Sequence, residues 1–489
     1  MNKINYLSKI VILVVSVVVL GCTMGQEYTY ENIVTEYNLE HYEATPSTQT
    51  EFEPDLSYLK RPISVFDGIR IAIHNNPDID IAISRIRQSE ATIDEANAAF
   101  WPSLAFYTEY VKADSPSTYF FKRIDQRRLA SGMDFNDPGR IENFEIGFSA
   151  RWNIYNGGRD VLRKKMSETG LKIDRLDRLT VENALTASVI LTYYSALAAK
   201  DFIRIAKESV ATVDNELRVM LVKFNAGGAL KSDILSLEVR LAQTKENLIR
   251  AQNNYKLTLA ALANLMGADA DTEIELSGAE WRPVELPADY DDGIVAALGI
   301  RPELLKARKQ IIHSKMALDM EKGGYLPRLD ANGRYYSDDP GLSYNGNRAN
   351  WLAGAILNWD VFTGFSTGAK VKKARAVLDQ MLAADRKTTQ SVQLDVKTAY
   401  LRMSEAKARL TVAKASVAQA EESLNLVRIQ YEGGSATITR YLDTELALNT
   451  ARVRETSAFY DCKKAQADIG RSLGYCGLCA RKELSGHGR

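Results

Sequence analysis

Cys22 is the residue best placed for covalent chemistry, because it ends the motif VLGC directly after an apolar stretch. That stretch, IVILVVSVVVL (residues 10–20), follows Lys3 and Lys9 and has the length of a signal-peptide core. Aliphatic residues followed by Gly-Cys look like a bacterial lipobox, so cleavage after residues 1–21 would leave the Cys22 thiol for acylation, for example by palmitate. Thr23, in place of Asp, favours sorting to the outer membrane. The alternative is an ordinary signal peptide with an incidental cysteine; both interpretations predict an oxidising compartment.

The other reactive side chains form no catalytic or metal-binding constellation. The four histidines are scattered at His41, His74, His313 and His487. CGLC near the C-terminus favours a local disulfide between Cys476 and Cys479 over a zinc or redox site, and Cys462 is expected to be buried in a helix seam. Lys plus Arg (62) equals Asp plus Glu (62), which provides no general attraction to nucleic acid. We therefore expect that the protein is not an enzyme and that it binds neither a metal ion nor a cofactor.

An internal repeat is the main organising feature. FNAGGALKSDILSLE begins at Phe224 and YEGGSATITRYLDTE begins at Tyr431, and their aromatic, Gly, Leu and Glu positions coincide. The same offset joins Trp152 to Trp359, which indicates a duplication. The predicted boundaries are a lipidated extension (22–62), a first repeat (63–270), an equatorial linker (271–290), a second repeat (291–475) and a tail (476–489).

Each repeat contains a helix that is long for a globular domain. Apolar residues recur every three and four positions from Val396 to Tyr431 and again from Val189 to Phe224, which predicts a left-handed coiled coil. No proline interrupts residues 159–223, a length of roughly 100 Å as a helix. Return helices are predicted at 230–266 and 437–473, so the glycine pairs between the helices are expected to end the first helix of each hairpin.

Four segments alternate between apolar and polar residues with the period of a strand. The clearest covers residues 144–154, and the others cover 103–111, 329–336 and 351–359. Apolar-out and polar-in alternation over about ten residues is typical of outer-membrane strands; the alternative is soluble hairpins half-buried against helix. Four strands cannot close a barrel in lipid, so membrane-spanning strands would require several chains to share one barrel. Segments 112–142 and 337–349 would then be outer loops, the first of them enlarged.

The lipobox, the strand pairs, the long helices and the duplication, in their order along the chain, resemble those of the outer-membrane efflux protein family, the TolC-like channel tunnels, and especially of its lipid-anchored branch. The resemblance covers about residues 63–475 and rests on NPDI and RPEL at the first helices, WPSL and LPRL entering the strands, WNIYNGG and WDVFTG leaving them, and the two hairpin tips. It implies a mainly α protein with a small β part: duplicated coiled-coil hairpins, four transmembrane strands per protomer, a homotrimer with a twelve-stranded barrel in outer-membrane lipid, and a periplasmic α-helical tunnel. It also implies a periplasmic adaptor and an inner-membrane pump as partners.

By the same resemblance, the tips narrow to a periplasmic aperture lined just past each turn. Asp443 and Asp233 map to the acidic positions, and Tyr431 and Phe224 to the aromatics before the turns. A threefold axis would gather three Asp443 carboxylates, and Arg440 on the same helical face would compensate their repulsion. Arg440 replaces an acidic residue found in some members, which counts against a doubly acidic ring for cations. The alternative is a solvated Arg440–Asp443 pair.

The turn glycines have a second implied role. Gly227, Gly228, Gly433 and Gly434 cap helices and, by the resemblance, would also contact the adaptor.

Three functions follow from these features: the exit duct of a tripartite efflux system, the channel of a type I protein secretion system, or a coiled-coil lipoprotein that conducts nothing. The third predicts no amphipathic strands, so the alternating segments count against it.

Overall fold

The computed structural model describes residues 61–278, 286–343 and 346–475. The predicted signal peptide 1–21, the lipid-attachment site Cys22 and the CGLC motif in the 476–489 tail lie outside these ranges, as do most of the 22–62 extension and the middle of the 271–290 linker. Those expectations therefore stay predictions.

The described residues form two compact units. A β unit comprises Phe100–Tyr155 and Pro327–Trp359, and a helical unit contains the rest. The chain is mainly helical with one small sheet, as the sequence predicts. Within the described ranges, no helix combines the length and the apolarity needed to cross a membrane.

The elements alternate between the two units along the chain. In order they are α1 (Val65–Asn75), α2 (Pro77–Ala98), β1 (Ser103–Ala113), α3 (Pro116–Asp125), β2 (Ile141–Asn156), α4 (Arg159–Asn225), α5 (Lys231–Leu265), α6 (Tyr290–Ile300), α7 (Pro302–Lys322), β3 (Arg328–Asp339), β4 (Ala349–Asn358), α8 (Ser366–Glu432) and α9 (Ile438–Leu473).

The two longest helices, α4 and α8, each have 67 residues. A rise of 1.5 Å per residue makes each roughly 100 Å long. This confirms the length predicted for α4, whereas α8 begins at Ser366, well before the apolar pattern that starts at Val396. Several predicted seam positions are buried, including Val189, Ala196 and Ala199 on α4 and Val396 and Ala399 on α8. The small alanines let neighbouring helices approach closely along the seam.

The residue before each motif proline ties a short helix to the end of a return helix. Asn76, which caps α2, donates from Nδ2 to the Leu265 carbonyl at 2.9 Å. Arg301, before Pro302, donates from a guanidinium nitrogen to the Ser472 carbonyl at 2.7 Å. These carbonyls end α5 and α9, where helix geometry leaves them without an intrahelical partner. The NPDI and RPEL motifs thus make the same contact in both halves, between the start of a short helix and the end of a return helix; this contact is called the joint below.

The main core of the helical unit surrounds this joint in the first half. It consists of residues from α1, α2, α4, α5 and α9 and from the segments before α1 and after α5, among them Val65, Ile69, Ile79, Val189, Ile190, Tyr193, Leu262, Met266 and Leu276.

The β unit contains a single sheet in the order β1-β2-β3-β4. β1 is antiparallel to β2, with partners from Ser103↔Arg151 to Ala113↔Ile141. β3 is antiparallel to β4, with partners from Arg328↔Asn358 to Ser337↔Ala349. All four predicted strands are present, each within three residues of its expected ends. Within one chain, β1 and β4 are the edges of the sheet, and their outer backbone groups face no strand of the same sheet.

The sheet buries polar residues and exposes apolar ones. On β2, Asn143 is 0% and Glu145 2% exposed, whereas Phe148 is 50% and Trp152 43% exposed. The edge strand β4 exposes apolar side chains on both faces, since the consecutive residues Trp351 and Leu352 are both exposed. A soluble sheet shows the opposite pattern, because its apolar face is the one removed from water. The predicted apolar-out alternation is therefore confirmed for β2, whereas β1 and β4 are largely exposed on both faces.

Two predictions are wrong. The 112–142 segment is not only a loop, because it contains α3, which begins at Pro116, a favourable first helical residue. Cys462 is half-buried rather than buried, since α9 leaves this position only partly covered.

Candidate functional site at the hairpin tips

The two hairpin tips share one turn geometry. In the first, Gly228 N–H donates to the Lys223 carbonyl at 2.8 Å and Gly227 N–H to the Phe224 carbonyl at 2.9 Å. In the second, Ser435 N–H donates to the Gln430 carbonyl at 2.8 Å. These are Schellman caps, which satisfy the last carbonyls of a helix and need one residue with positive φ. That residue is Gly227 (φ 78°) in one tip and Gly434 (φ 77°) in the other.

Thus one glycine of each pair is needed for the turn. Gly433 has φ −79°, which any residue adopts, and Gly228 has no positive φ. The predicted capping role is confirmed, but it belongs to Gly227 and Gly434.

A tip cluster of apolar side chains joins the two hairpins behind these turns. It contains residues from α4, α5, α8 and α9: Val213, Met220, Ile234, Leu237, Leu241, Val427, Ile438, Tyr441 and Leu442. Burial of a leucine-sized side chain stabilises by about 1.5–3 kcal/mol. The cluster therefore fixes the position of one hairpin against the other, so relative movement of the hairpins requires its repacking.

Tyr431 and Tyr441 stack at the edge of the tip cluster. Their ring centroids are 5.4 Å apart with an interplanar angle of 22°, and the Lys223 ammonium lies 5.2 Å from the Tyr431 centroid. The Tyr441 hydroxyl donates to Glu216 on α4 at 3.4 Å. Burial and the charge of Glu216 raise the pKa of Tyr441 to about 12, so this hydroxyl keeps its proton at neutral pH. The tyrosine pair thus links α8 and α9 to α4.

A buried polar network crosses between the hairpins next to the cluster. Glu445 on α9 is 3% exposed. One carboxylate oxygen accepts from Ser209 on α4 at 3.0 Å, and the other accepts from Arg240 on α5 at 3.2 Å. Asn449 donates to the same carboxylate and to the Ser209 hydroxyl. A buried carboxylate requires such partners, because an unpaired one is strongly destabilising.

Sequence reasoning did not identify this network. The repeat aligns Glu445 with Glu238, yet Glu238 is exposed. A signal was present, since Glu445 follows the buried stripe of Leu442 and Leu448 at helical spacing, where an acid requires a partner.

The predicted aperture residues lie in different environments. Asp443 and Arg440 are both exposed on the first turns of α9. Among the ion pairs of the described residues, none joins these two side chains. Phe224 is partly exposed at the end of α4. Tyr431 packs against Tyr441 as described above.

Asp233 has a structural role in its own turn. It lies three residues after Leu230 and accepts from the Leu230 N–H at 3.4 Å. This bond supports the start of α5, where an acidic residue is favourable for the helix dipole.

In the part of the chain that the structure describes, no group of three or more His, Cys, Asp or Glu side chains is arranged to hold a metal ion. The buried polar groups around Glu445 bond to one another across three helices, an arrangement that holds the two hairpins together.

Comparisons with known proteins agree on one family. The family model described as "Outer membrane efflux protein" matches residues 68–268 and 293–475. The chain is 22% identical over 403 residues to the pyoverdine export outer membrane protein OpmQ of Pseudomonas aeruginosa, which covers 82% of each chain. It is 23% identical over 419 residues to the alkaline protease secretion protein AprF of the same organism, which covers 83% of each chain. The structure of the CmeC outer membrane channel of Campylobacter jejuni matches with a TM-score of 0.75 at 16% identity, over 86% of this chain and 89% of that one.

Proposed function

The chain belongs to the outer membrane efflux protein family, and on this premise we propose that it is the outer-membrane exit duct of a tripartite efflux system. It is an outer-membrane channel protein with a large periplasmic part, and it is not an enzyme. In the proposed assembly, three copies form a twelve-stranded barrel and a periplasmic helical tunnel. Substrates enter from an adaptor and an inner-membrane pump and leave passively to the exterior. Acylation of Cys22 would add a lipid anchor.

The sheet carries this proposal. Its exposed apolar face suits lipid and its buried polar face suits an aqueous lumen. Four strands are too few to close, and open strand edges in lipid leave unpaired amides that cost several kcal/mol each. Copies of the same chain are the simplest source of the missing strands, since a closed ring requires the β4 edge of one copy to pair with the β1 edge of the next.

Gating is proposed at the helix tips. A threefold axis along the tunnel would bring the exposed Asp443 and Arg440 of three copies near each other, with Asp233, Phe224 and Tyr431 close to the same turns. A ring of like charges disfavours close approach unless a cation compensates. Opening requires the two hairpins of each copy to shift, which would involve breaking the links across the tip cluster.

Adaptor contact is proposed at the same end. The turns at Gly227, Gly228, Gly433 and Gly434 are exposed and carry little side-chain bulk, so they permit close contact between backbone surfaces.

A second candidate, a type I protein secretion channel, is favoured by one observation. The relatives include both an export protein for pyoverdine and a secretion protein for alkaline protease, at nearly equal identity. The overall architecture suits either cargo, so the partner pump decides between them. Co-purification with a resistance-nodulation-division pump or with an ABC exporter would distinguish the two candidates.

The test is conductance of the purified protein in planar bilayers, together with its mass in mild detergent. We expect a trimer with a small, stable conductance, and a higher conductance for the double variant Asp443→Ala/Arg440→Ala, because the attraction between Arg440 and Asp443 that would hold the aperture closed is gone. A monomer without conductance would refute the duct. A trimer whose conductance is the same in the double variant would refute the gating role of these two residues and leave the duct intact.

A further inference from the structure

The enlarged loop between β1 and β2 folds back onto the polar face of the sheet. Its helix α3 buries Tyr119, and Gln126 directly after the helix is 0% exposed. Gln126 Nε2 donates to Asn143 Oδ1 at 2.8 Å and to the Glu142 carbonyl at 3.1 Å. The Asp125 carbonyl accepts from Asn350 Nδ2 at 3.3 Å. The helix is thus held by β2 and by β4, on strands from both repeats.

Lys122 of α3 is the central contact. Its ammonium lies 2.5 Å from Glu145 Oε2 on β2 and 3.0 Å from Asp338 Oδ1 on β3. The two carboxylates are 2% and 0% exposed, and the lysine side chain is 18% exposed. Burial alone would lower the pKa of Lys122, but its hydrogen bonds to both carboxylates outweigh burial and raise the pKa. The lysine is therefore charged at every physiological pH.

Helix α3 brings a positive charge to two buried carboxylates of this face. Glu145 and Asp338 contribute two negative charges, and Arg334, which also binds Glu145, contributes one positive charge. Lys122 supplies the second positive charge. The Asp125 carboxylate is disfavoured in the same place, since burial and the nearby Asp338 raise its pKa. Without the lysine, α3 would bring a further acid to two buried carboxylates, and repulsion would favour its release.

We propose that α3 is a lid on the outer end of the conduit and that Lys122 holds it closed, so that this helix limits which solutes pass. The inference rests on the proposed function, because the polar face becomes the wall of a lumen only in the closed barrel. It adds a second barrier, separate from the helix tips. Since the lid residues lie in the insertion that only the first repeat carries, a trimer would have three such lids.

The test uses single cysteines labelled from outside intact cells. Ser149→Cys reports on the polar face of β2, four residues from Glu145 and about 13 Å further along the strand. Ser131→Cys reports on the exposed part of the loop. Each is combined with Lys122→Gln or with the matched control Lys112→Gln, which breaks an exposed pair with Glu142 (side chains 54% and 48% exposed). The probe is a membrane-impermeant polyethylene glycol maleimide of about 5 kDa, which is added to intact cells. The protein without an introduced cysteine supplies the background labelling.

We expect Ser131→Cys to label in every background and Ser149→Cys to label at least about tenfold faster with Lys122→Gln than with Lys112→Gln. Equal rates at Ser149→Cys in the two backgrounds, with Ser131→Cys labelled, would overturn the lid and leave the duct standing. Failure of Ser131→Cys to label in protein that has reached the outer membrane would overturn the orientation and with it the proposed function.

Hydrogen exchange of the purified trimer gives a second measurement that does not depend on conduction. Amides of residues 116–125 should exchange about tenfold or more faster in Lys122→Gln than in Lys112→Gln, while those of β2 stay protected. Asp338→Asn should have the same effect from the strand side. Unchanged protection of 116–125 in both variants, with the trimer intact, would refute the role of Lys122.

Discussion

Replacing Arg240 with alanine tests the buried network that crosses between the hairpins. The side chains of Arg240 and Glu445 are only 14% and 4% exposed. Removal of one partner from a buried pair costs about 3–5 kcal/mol, because the remaining charge is left without compensation. Ser209 and Asn449 still donate to Glu445, so we expect the lower end, about 3 kcal/mol.

The assay is hydrogen exchange at the tips of α5 and α9 in the trimer, since local opening is measured there without unfolding the whole assembly. A loss of about 3 kcal/mol corresponds to roughly a hundredfold faster exchange through local opening. The matched control is Arg250→Ala on the same helix, whose ion pair with Glu246 is 75% and 59% exposed. Such surface pairs contribute about 0–1 kcal/mol.

A second variant separates charge from packing. Arg240→Met combined with Glu445→Leu replaces the pair by apolar side chains, and we expect it to restore most of the protection, because neither charge then remains buried. Equal exchange in Arg240→Ala and Arg250→Ala would refute the reasoning. So would a double apolar variant as labile as the single one, because the loss would then come from packing rather than from an uncompensated charge.

Three further predictions concern stability. Leu237→Ala, at a fully buried position of the tip cluster, should lower the free energy of local opening measured by hydrogen exchange by about 2–5 kcal/mol. The control Leu235→Ala, at a half-exposed position, should change that free energy by less than about 0.5 kcal/mol. Gly434→Ala should cost about 1–2 kcal/mol because φ is positive there, and Gly433→Ala much less; equal effects on tip protection would exclude the Schellman explanation. Asp395 on α8 accepts hydrogen bonds from Arg471 at 2.7 Å and from Arg301 at 2.8 Å. Burial opposes ionisation of Asp395, but these hydrogen bonds outweigh burial and lower its pKa below the usual 3.8. Its contribution is therefore complete above pH 3.8 and lost as pH falls through the lower folded value, so Asp395→Asn should flatten the acid decline of the melting temperature, and a profile parallel to that of the parent protein would contradict this.

The periodicities of the sequence were enough to predict the elements. The 3.5-residue spacing and the lack of proline predicted α4 almost to the residue, whereas for α8 the spacing predicted the end at Tyr431 but not the start at Ser366. Strict alternation in 144–154 predicted which face of β2 is apolar. The repeat in Gly227 and Gly434 predicted both turns, since a Schellman cap has a local sequence requirement.

Which side chains meet across helices was decided only by the tertiary structure. Glu238 and Glu445 occupy equivalent repeat positions, yet one is exposed and the other is buried against Ser209 and Arg240. Likewise, nothing near Lys122 in the sequence indicates two carboxylates at positions 145 and 338. Local order follows from bond geometry and apolar spacing along one segment. Pairing of buried charges depends on how distant segments pack, and a single sequence carries no periodic signal for that.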